Sequence, residues 1–197
     1  KKRAIQDKAT GEDKTIPLIK FYTVFNAEQI DNLPEKFFPV EVERTEIDRD
    51  AAVDAYIAGT KADIRFGGSS AHYVPSADYI QLPEPDSFES GVAYYGTAFH
   101  ELAHWTGHAD RIDRNLKTGH GTKDYAREEL VAELTAAFQC GHHGLEVTSR
   151  DDHAQYLQGW IDVLKEDSTA IRKACSAAQK AVDFCDNLQP AGLEDAA

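Results

Sequence analysis

The sequence predicts an α+β domain: a small mixed or antiparallel sheet packed on a helical core, followed by C-terminal helices. Three observations predict it. Short β-branched and aromatic runs, broken by glycine and proline, fill the first half of the chain as strands do. Longer runs with a helical apolar period fill the second half. The first of these, Gly91 to Trp105, carries His100-Glu101-Leu102-Ala103-His104, which sets two imidazoles one turn apart on one helix face.

The elements follow in order. Residues 1–15 are polar, contain Gly11 and read as a loop or hairpin. Ile16 to Phe25 is β-branched and aromatic and reads as a strand. Asn26 to Pro39, with Asn32 and Pro34, is rich in turn residues and marks the expected boundary between residues 1–40 and a domain over 41–197. Asp48 to Ile57 predicts a short helix stopped by Gly59. Ala62 to Phe66 predicts a strand, broken by Gly67-Gly68. Ala71 to Leu82 predicts a hairpin turning at Pro75–Asp78, and Pro75 and Pro83 mark its second arm as an edge strand. Ser87 and Ser90 offer N-caps for the motif helix, and Gly107 ends it. His108 to Gly121, with Arg111, Arg114 and Lys117, reads as a surface loop. A helix resumes near Asp124 and stops near Gly141–Gly144. Two more, over 149–166 and 168–188, take Ser149 and Ser168 as caps and Pro190 as a stop.

Composition narrows the function classes. The 197 residues suit one domain, or one domain and part of another, and a start at Lys1 reads as a piece of a longer protein. No secretion signal and no apolar run of about 18 residues occurs, so neither export by that route nor membrane spanning is expected. Three cysteines, Cys140, Cys175 and Cys185, without C-x-x-C spacing fit a reducing cytoplasm. Cys140 reads as helix core, with His142 and His143 at the helix end rather than in a second metal site. A net charge of −13 opposes binding of a polyanion by the surface as a whole. The local exception is the start, Lys1-Lys2-Arg3 with Lys8 and Lys14, which reads first as a solvated tail.

The chemistry centres on H-E-x-x-H. His100 and His104 supply two nitrogen ligands, and Glu101 between them is placed to act on water as general base. A catalytic zinc-type site needs a third protein ligand and an open fourth position. Glu129 is the expected third ligand. It lies in Glu129-Leu-Val-Ala-Glu133, where two carboxylates share one face of an apolar helix at a cost that metal binding or pairing would offset. Glu133 would then hold the second nitrogen of a ligating histidine. Glu133, Asp110 and His108 stay open as alternatives for the third ligand. Asp110 completes H-E-x-x-H-x-x-G-x-x-D, but that pattern normally rests on a methionine turn and the chain has no methionine.

With these residues in view, the chain resembles the zincin-like metallopeptidase domain of plasmid antirestriction proteins of the ArdC and TraC type. The resemblance rests on Tyr94-Tyr95, on His100 through His108, on Arg111-Ile-Asp-Arg114 and on Glu128 through Leu134. Tyr79-Ile-Gln-Leu-Pro83 and the Ser-Ala-Ala-Gln-Lys run ending at Lys180 extend it over about residues 16–188. It implies a zincin-like fold, with residues 1–40 as the remnant and linker of a single-stranded-DNA-binding domain. It also implies protection of incoming conjugative DNA from a host restriction system.

The expected activity is a metal-dependent peptidase. His100, His104 and Glu129 hold zinc, with manganese compatible with the same donors, and Glu101 is the base. Tyr79, Ile80 and Gln81 hold an extended peptide or protein substrate by strand addition. Tyr79, Tyr125 and His142 are the candidate oxyanion donors. One alternative is a DNA-protecting binding protein whose metal site is structural or vestigial. Another is a toxin-like or scaffold domain with a metal-stabilised core, whose closed four-ligand site would draw on His108 or Asp110.

Overall fold

The computed structural model describes residues 2–6, 13–17, 30, 34, 46–114, 116, 122–145, 160–161, 164–165, 167 and 169–190. The chain divides into two compact units, Lys1–Glu43 and Arg44–Ala197. In the first, β1 (Lys2–Gln6) pairs antiparallel with β2 (Asp13–Pro17), Lys2 opposite Pro17 and Gln6 opposite Asp13. The strand expected from Ile16 to Phe25 enters β2 with its first two residues, and the rest lies outside the described residues.

The second unit begins with α1 (Ala51–Gly59). The Asp50 carboxylate starts it by accepting from the amides of Ala52 (2.8 Å) and Val53 (3.3 Å), which would otherwise lack helical partners. Three short strands follow, β3 (Asp63–Phe66), β4 (His72–Val74) and β5 (Tyr79–Leu82). Gly67 and Gly68, at φ 128° and 72°, carry the chain out of β3 through backbone that a side chain would strain.

The sheet order is β3-β5-β4, with β5 parallel to β3 and antiparallel to β4. This corrects one expectation. Tyr79–Leu82 is the central strand, not an edge. Pro75 falls in the turn and Pro83 falls just past the last paired residue, so no proline interrupts the β5 ladder on either side. Ile80 and Leu82 point into the core and are fully buried. Among the described residues, the two edges belong to β3 and β4.

Helices form the rest. Ser90 caps α2 (Gly91–Thr106) through its hydroxyl on the Ala93 amide at 3.1 Å, while Ser87 sits in the short turn before it. Thr122 caps α3 (Lys123–His142) in the same way on Tyr125. The last described helix is α4 (Ala170–Asp186). The predicted helix over 149–166 and its Ser149 cap, like Ser168, lie largely outside the described residues.

The core joins α1, the sheet and α2 through Val53, Tyr56, Ile57, Ile80, Leu82, Tyr95, Phe99 and Leu102. Each fully buried large apolar side chain contributes about 1.5–3 kcal/mol relative to exposure. Tyr95 adds direction: its hydroxyl accepts from the Asp50 amide (2.8 Å) and donates toward the Asp54 carboxylate (3.0 Å), tying α2 to the start of α1. On the far flank, Ala174 and Ala178 of α4 pack against Leu130 and Val131 of α3. Among the described residues no helix is long and apolar enough to cross a membrane.

Candidate metal centre

Helix α2 presents His100 and His104 toward α3, and α3 answers with a row of carboxylates. The two Nε2 atoms lie 3.2 Å apart. Glu129 bridges them, one carboxylate oxygen 3.5 Å from His100 Nε2 and the other 3.4 Å from His104 Nε2. Donor atoms of the three residues all fall within 4.8 Å of one another. Ligands standing about 2.0 Å from a tetrahedral centre are separated by roughly 3.3 Å, so the set has the spacing and the N₂O chemistry that a zinc-type cation takes. Among the described residues this is the one such group.

The remote nitrogens of both rings also face carboxylates. Glu133, one turn beyond Glu129, brings Oε1 to 3.1 Å from His100 Nδ1, at ion-pair distance but out of line for a hydrogen bond as the rings stand. Glu128 brings Oε1 to 3.3 Å from His104 Nδ1. A carboxylate at Nδ1 leaves Nε2 as the lone-pair nitrogen turned toward a metal. Arg114 holds Glu128 with a fork, Nε to Oε2 at 3.0 Å and Nη2 to Oε1 at 2.9 Å. The same guanidinium donates to the Ala103 carbonyl (2.6 Å) and the Thr106 hydroxyl (2.9 Å), fixing itself to the last turn of α2.

Electrostatics follow from this packing. Burial raises the pKa of Glu129, yet the two histidines outweigh it and hold the carboxyl well below the usual range. Burial likewise opposes charging of His104, yet Glu128 and Glu129 outweigh it and push its pKa up to about 10. Burial and then His104 and Arg114 compete in the same way at Glu128, whose carboxyl ends below its ordinary value. The centre is thus an ion cluster in which histidines and carboxylates offset one another's burial.

A cleft of about 300 Å³ opens onto the centre. Glu101 lines it beside His100 and His104, and His72 and Tyr73 of β4 and Tyr125 of α3 complete its walls. Tyr125 is therefore the oxyanion candidate that reaches the cleft. Tyr79 and His142 do not line it: Tyr79 stacks under the Arg65 guanidinium at 4.0 Å, and His142 is exposed at the end of α3. Ile80 is core, and Gln81 spends its amide on the Gly67 carbonyl at 2.7 Å. With both edges of β5 paired, strand addition at Tyr79–Gln81 is closed. The edge nearest the cleft is β4.

The remaining candidates fall elsewhere. Asp110 is exposed and faces His108, 3.6 Å away, and neither residue joins the three-donor group. Cys140 is buried in the core, while His143 stacks on Phe99 with ring centroids 5.6 Å apart. Sequence reasoning assigned no site role to Glu128, Arg114, His72 or Tyr73. The segment after His108 was expected on the surface, yet Arg111 and Arg114 turn inward with side chains 11% exposed. Arg111 lies 4.0 Å over the Trp105 ring and pairs with Asp78, whose carboxylate also accepts from Tyr73 at 2.7 Å. A turn glycine followed by two arginines was the available signal.

Residues 51–177 match the family described as zincin-like metallopeptidase. The chain is 40% identical to the uncharacterized protein y4eC of Sinorhizobium fredii over 83% of its own length and 52% of that protein. It is 41% identical to the DNA primase TraC of Escherichia coli over 85% of its length, which is 16% of TraC. It thus spans about half of one relative and a small part of the other. The antirestriction protein ArdC of plasmid R388, solved with Mn(II), superposes with a TM-score of 0.66 at 38% identity, over 95% of this chain and 67% of ArdC. Its metal-free structure gives 0.64 at 41% identity over the same shares. The chain belongs to the zincin-like metallopeptidase family, in the group that includes the ArdC antirestriction protein.

Proposed function

We propose that this chain is a divalent-metal-dependent peptidase domain of an antirestriction protein. One observation carries the reading: three donors converge at ligand spacing while each histidine is backed by its own carboxylate, and Glu101 shares their cleft. His100, His104 and Glu129 would hold the ion, zinc by donor type, and the Mn(II) in ArdC is compatible with the same set. A cation bound there would lower the pKa of water toward neutrality and polarise a scissile carbonyl. Glu101 would take the proton from the water that attacks that carbonyl and return it to the amine released as the C–N bond breaks. The β4 edge, with His72 and Tyr73 on the cleft wall, offers an extended peptide backbone a strand to pair with. Glu133 and Glu128 keep the rings aimed.

In the whole protein, residues 1–40 would belong to a single-stranded-DNA-binding part and its linker, and 41–197 to the peptidase. The protein would act in the cytoplasm, shielding incoming conjugative DNA from host restriction. Glu101→Gln tests the reading. It should keep its metal and lose cleavage of an unstructured protein such as casein. Loss of the metal would instead make Glu101 a ligand. Antirestriction that survives Glu101→Gln undiminished would favour a binding protein with a structural metal site.

A further inference from the structure

Arg114 also lines a second groove, of about 550 Å³, between the Ile112–Arg114 segment and α4. Its described lining includes Arg172, Lys173, Ser176 and Lys180 and no carboxylate. The chain carries 34 acidic and 21 basic residues, so a groove of one positive sign runs against its overall field. Arg172, Ser176 and Lys180 recur every fourth residue and share one face of α4, over about 12 Å of helix axis. All three are exposed. Lys173 is committed to Asp167 at 2.7 Å, and Arg114 to Glu128. Among the described residues, Arg172 and Lys180 have no carboxylate partner.

Two cations without a carboxylate partner among the described residues, and a hydroxyl between them, present the donors that a phosphate group takes. The volume lies within the about 300–1,000 Å³ of small-ligand sites. No aromatic side chain is among the described lining, so the groove has no platform for stacking bases. We propose that this groove binds a phosphate-bearing ligand, with Arg172 and Lys180 as charge contacts and Ser176 as hydrogen-bond donor. It shares no residue with the three-donor metal set and works without the metal.

The test uses the full chain in chelator at low salt, titrated with inorganic pyrophosphate by calorimetry and with a labelled oligothymidylate by anisotropy. Saturable binding of at least one probe is expected. It should weaken about tenfold or more in Arg172→Gln/Lys180→Gln and stay unchanged in Lys165→Gln, a cation outside the groove. Pyrophosphate alone would identify a small phosphate ligand. The oligonucleotide, with a salt slope falling by about 1.4 in the double variant, would identify a phosphodiester backbone. Because both positions are exposed, circular dichroism should show an unchanged fold. Saturable binding of neither probe, or binding undiminished by the double variant, overturns the site.

Discussion

The Nδ1 of His104 lies 3.3 Å from Oε1 of Glu128, across the seam between α2 and α3. That pairing turns the other ring nitrogen toward Glu129, 3.4 Å away. Arg114 forks onto the same Glu128 carboxylate, so the last turn of α2 is clamped to the start of α3 through an Arg–Glu–His chain. The orientation of a metal-facing nitrogen therefore depends on a residue from the segment that links the two helices.

Glu128→Gln should weaken divalent-metal binding by about 10–100-fold, because the ring loses the carboxylate that fixes its tautomer and aim. Arg114→Ala should act in the same direction through Glu128. Arg114→Lys should recover only part of the loss, since a lysine cannot reproduce the fork. Competition against a chromophoric chelator measures all three. Wild-type affinity in Glu128→Gln would mean that the carboxylate does not orient the ring.

The metal-free chain should show a definite pH dependence. His104 is raised from 6.5 to about 10, so the stability it contributes is complete below pH 6.5 and is lost as pH climbs through about 10. Glu129 is lowered from 4.5, so its contribution is present above that value and fades as pH falls through its depressed pKa. Melting temperature in chelator should therefore fall between pH 6.5 and 10, while metal uptake near neutrality releases protons. A flat melting profile across that window, with no proton release on metal addition, would contradict the charged cluster.

Two glycines of α2 should respond with opposite signs. A Cβ at Gly91 collides with the backbone carbonyl oxygen of Asp48, beside the cap of α1, whereas one at Gly96 meets nothing within 4 Å. Gly91→Ala should cost about 1–3 kcal/mol through forced displacement of packed backbone. Gly96→Ala should gain up to about 1 kcal/mol from helix propensity. At this chain length each kcal/mol moves the melting temperature by about 2–4 °C, which calorimetry resolves. Equal shifts in the same direction would refute the assigned entry of α2.

Much of the centre was legible because it is written in local periods. His100 with His104, and Glu129 with Glu133, each repeat at one helical turn, so helix geometry alone puts each pair on one face. The Ser90 cap follows from a residue type that satisfies helix-start amides, whereas Asp50 and Thr122, residues of the same capping type, were not singled out as caps. What failed was long-range. The centrality of β5 depends on the parallel partner β3, across an intervening strand and two turns, and no alternation in four residues states who the neighbours are. Arg114 reads as surface because it sits among polar residues. Its burial comes from the chain folding back after Gly107 onto the end of α2, where a Cβ at that glycine would press on the guanidinium at 3.0 Å. Glu128 was hidden beside Glu129, about 100° around the same helix, and only the packing angle of α3 brings both to the histidines.

The most direct test is the metal content of chelator-stripped and reloaded protein, by elemental analysis, for wild type and Glu129→Ala. The account predicts one divalent ion per wild-type chain and little or none in the variant. An undiminished ion in Glu129→Ala would contradict a centre built from His100, His104 and Glu129.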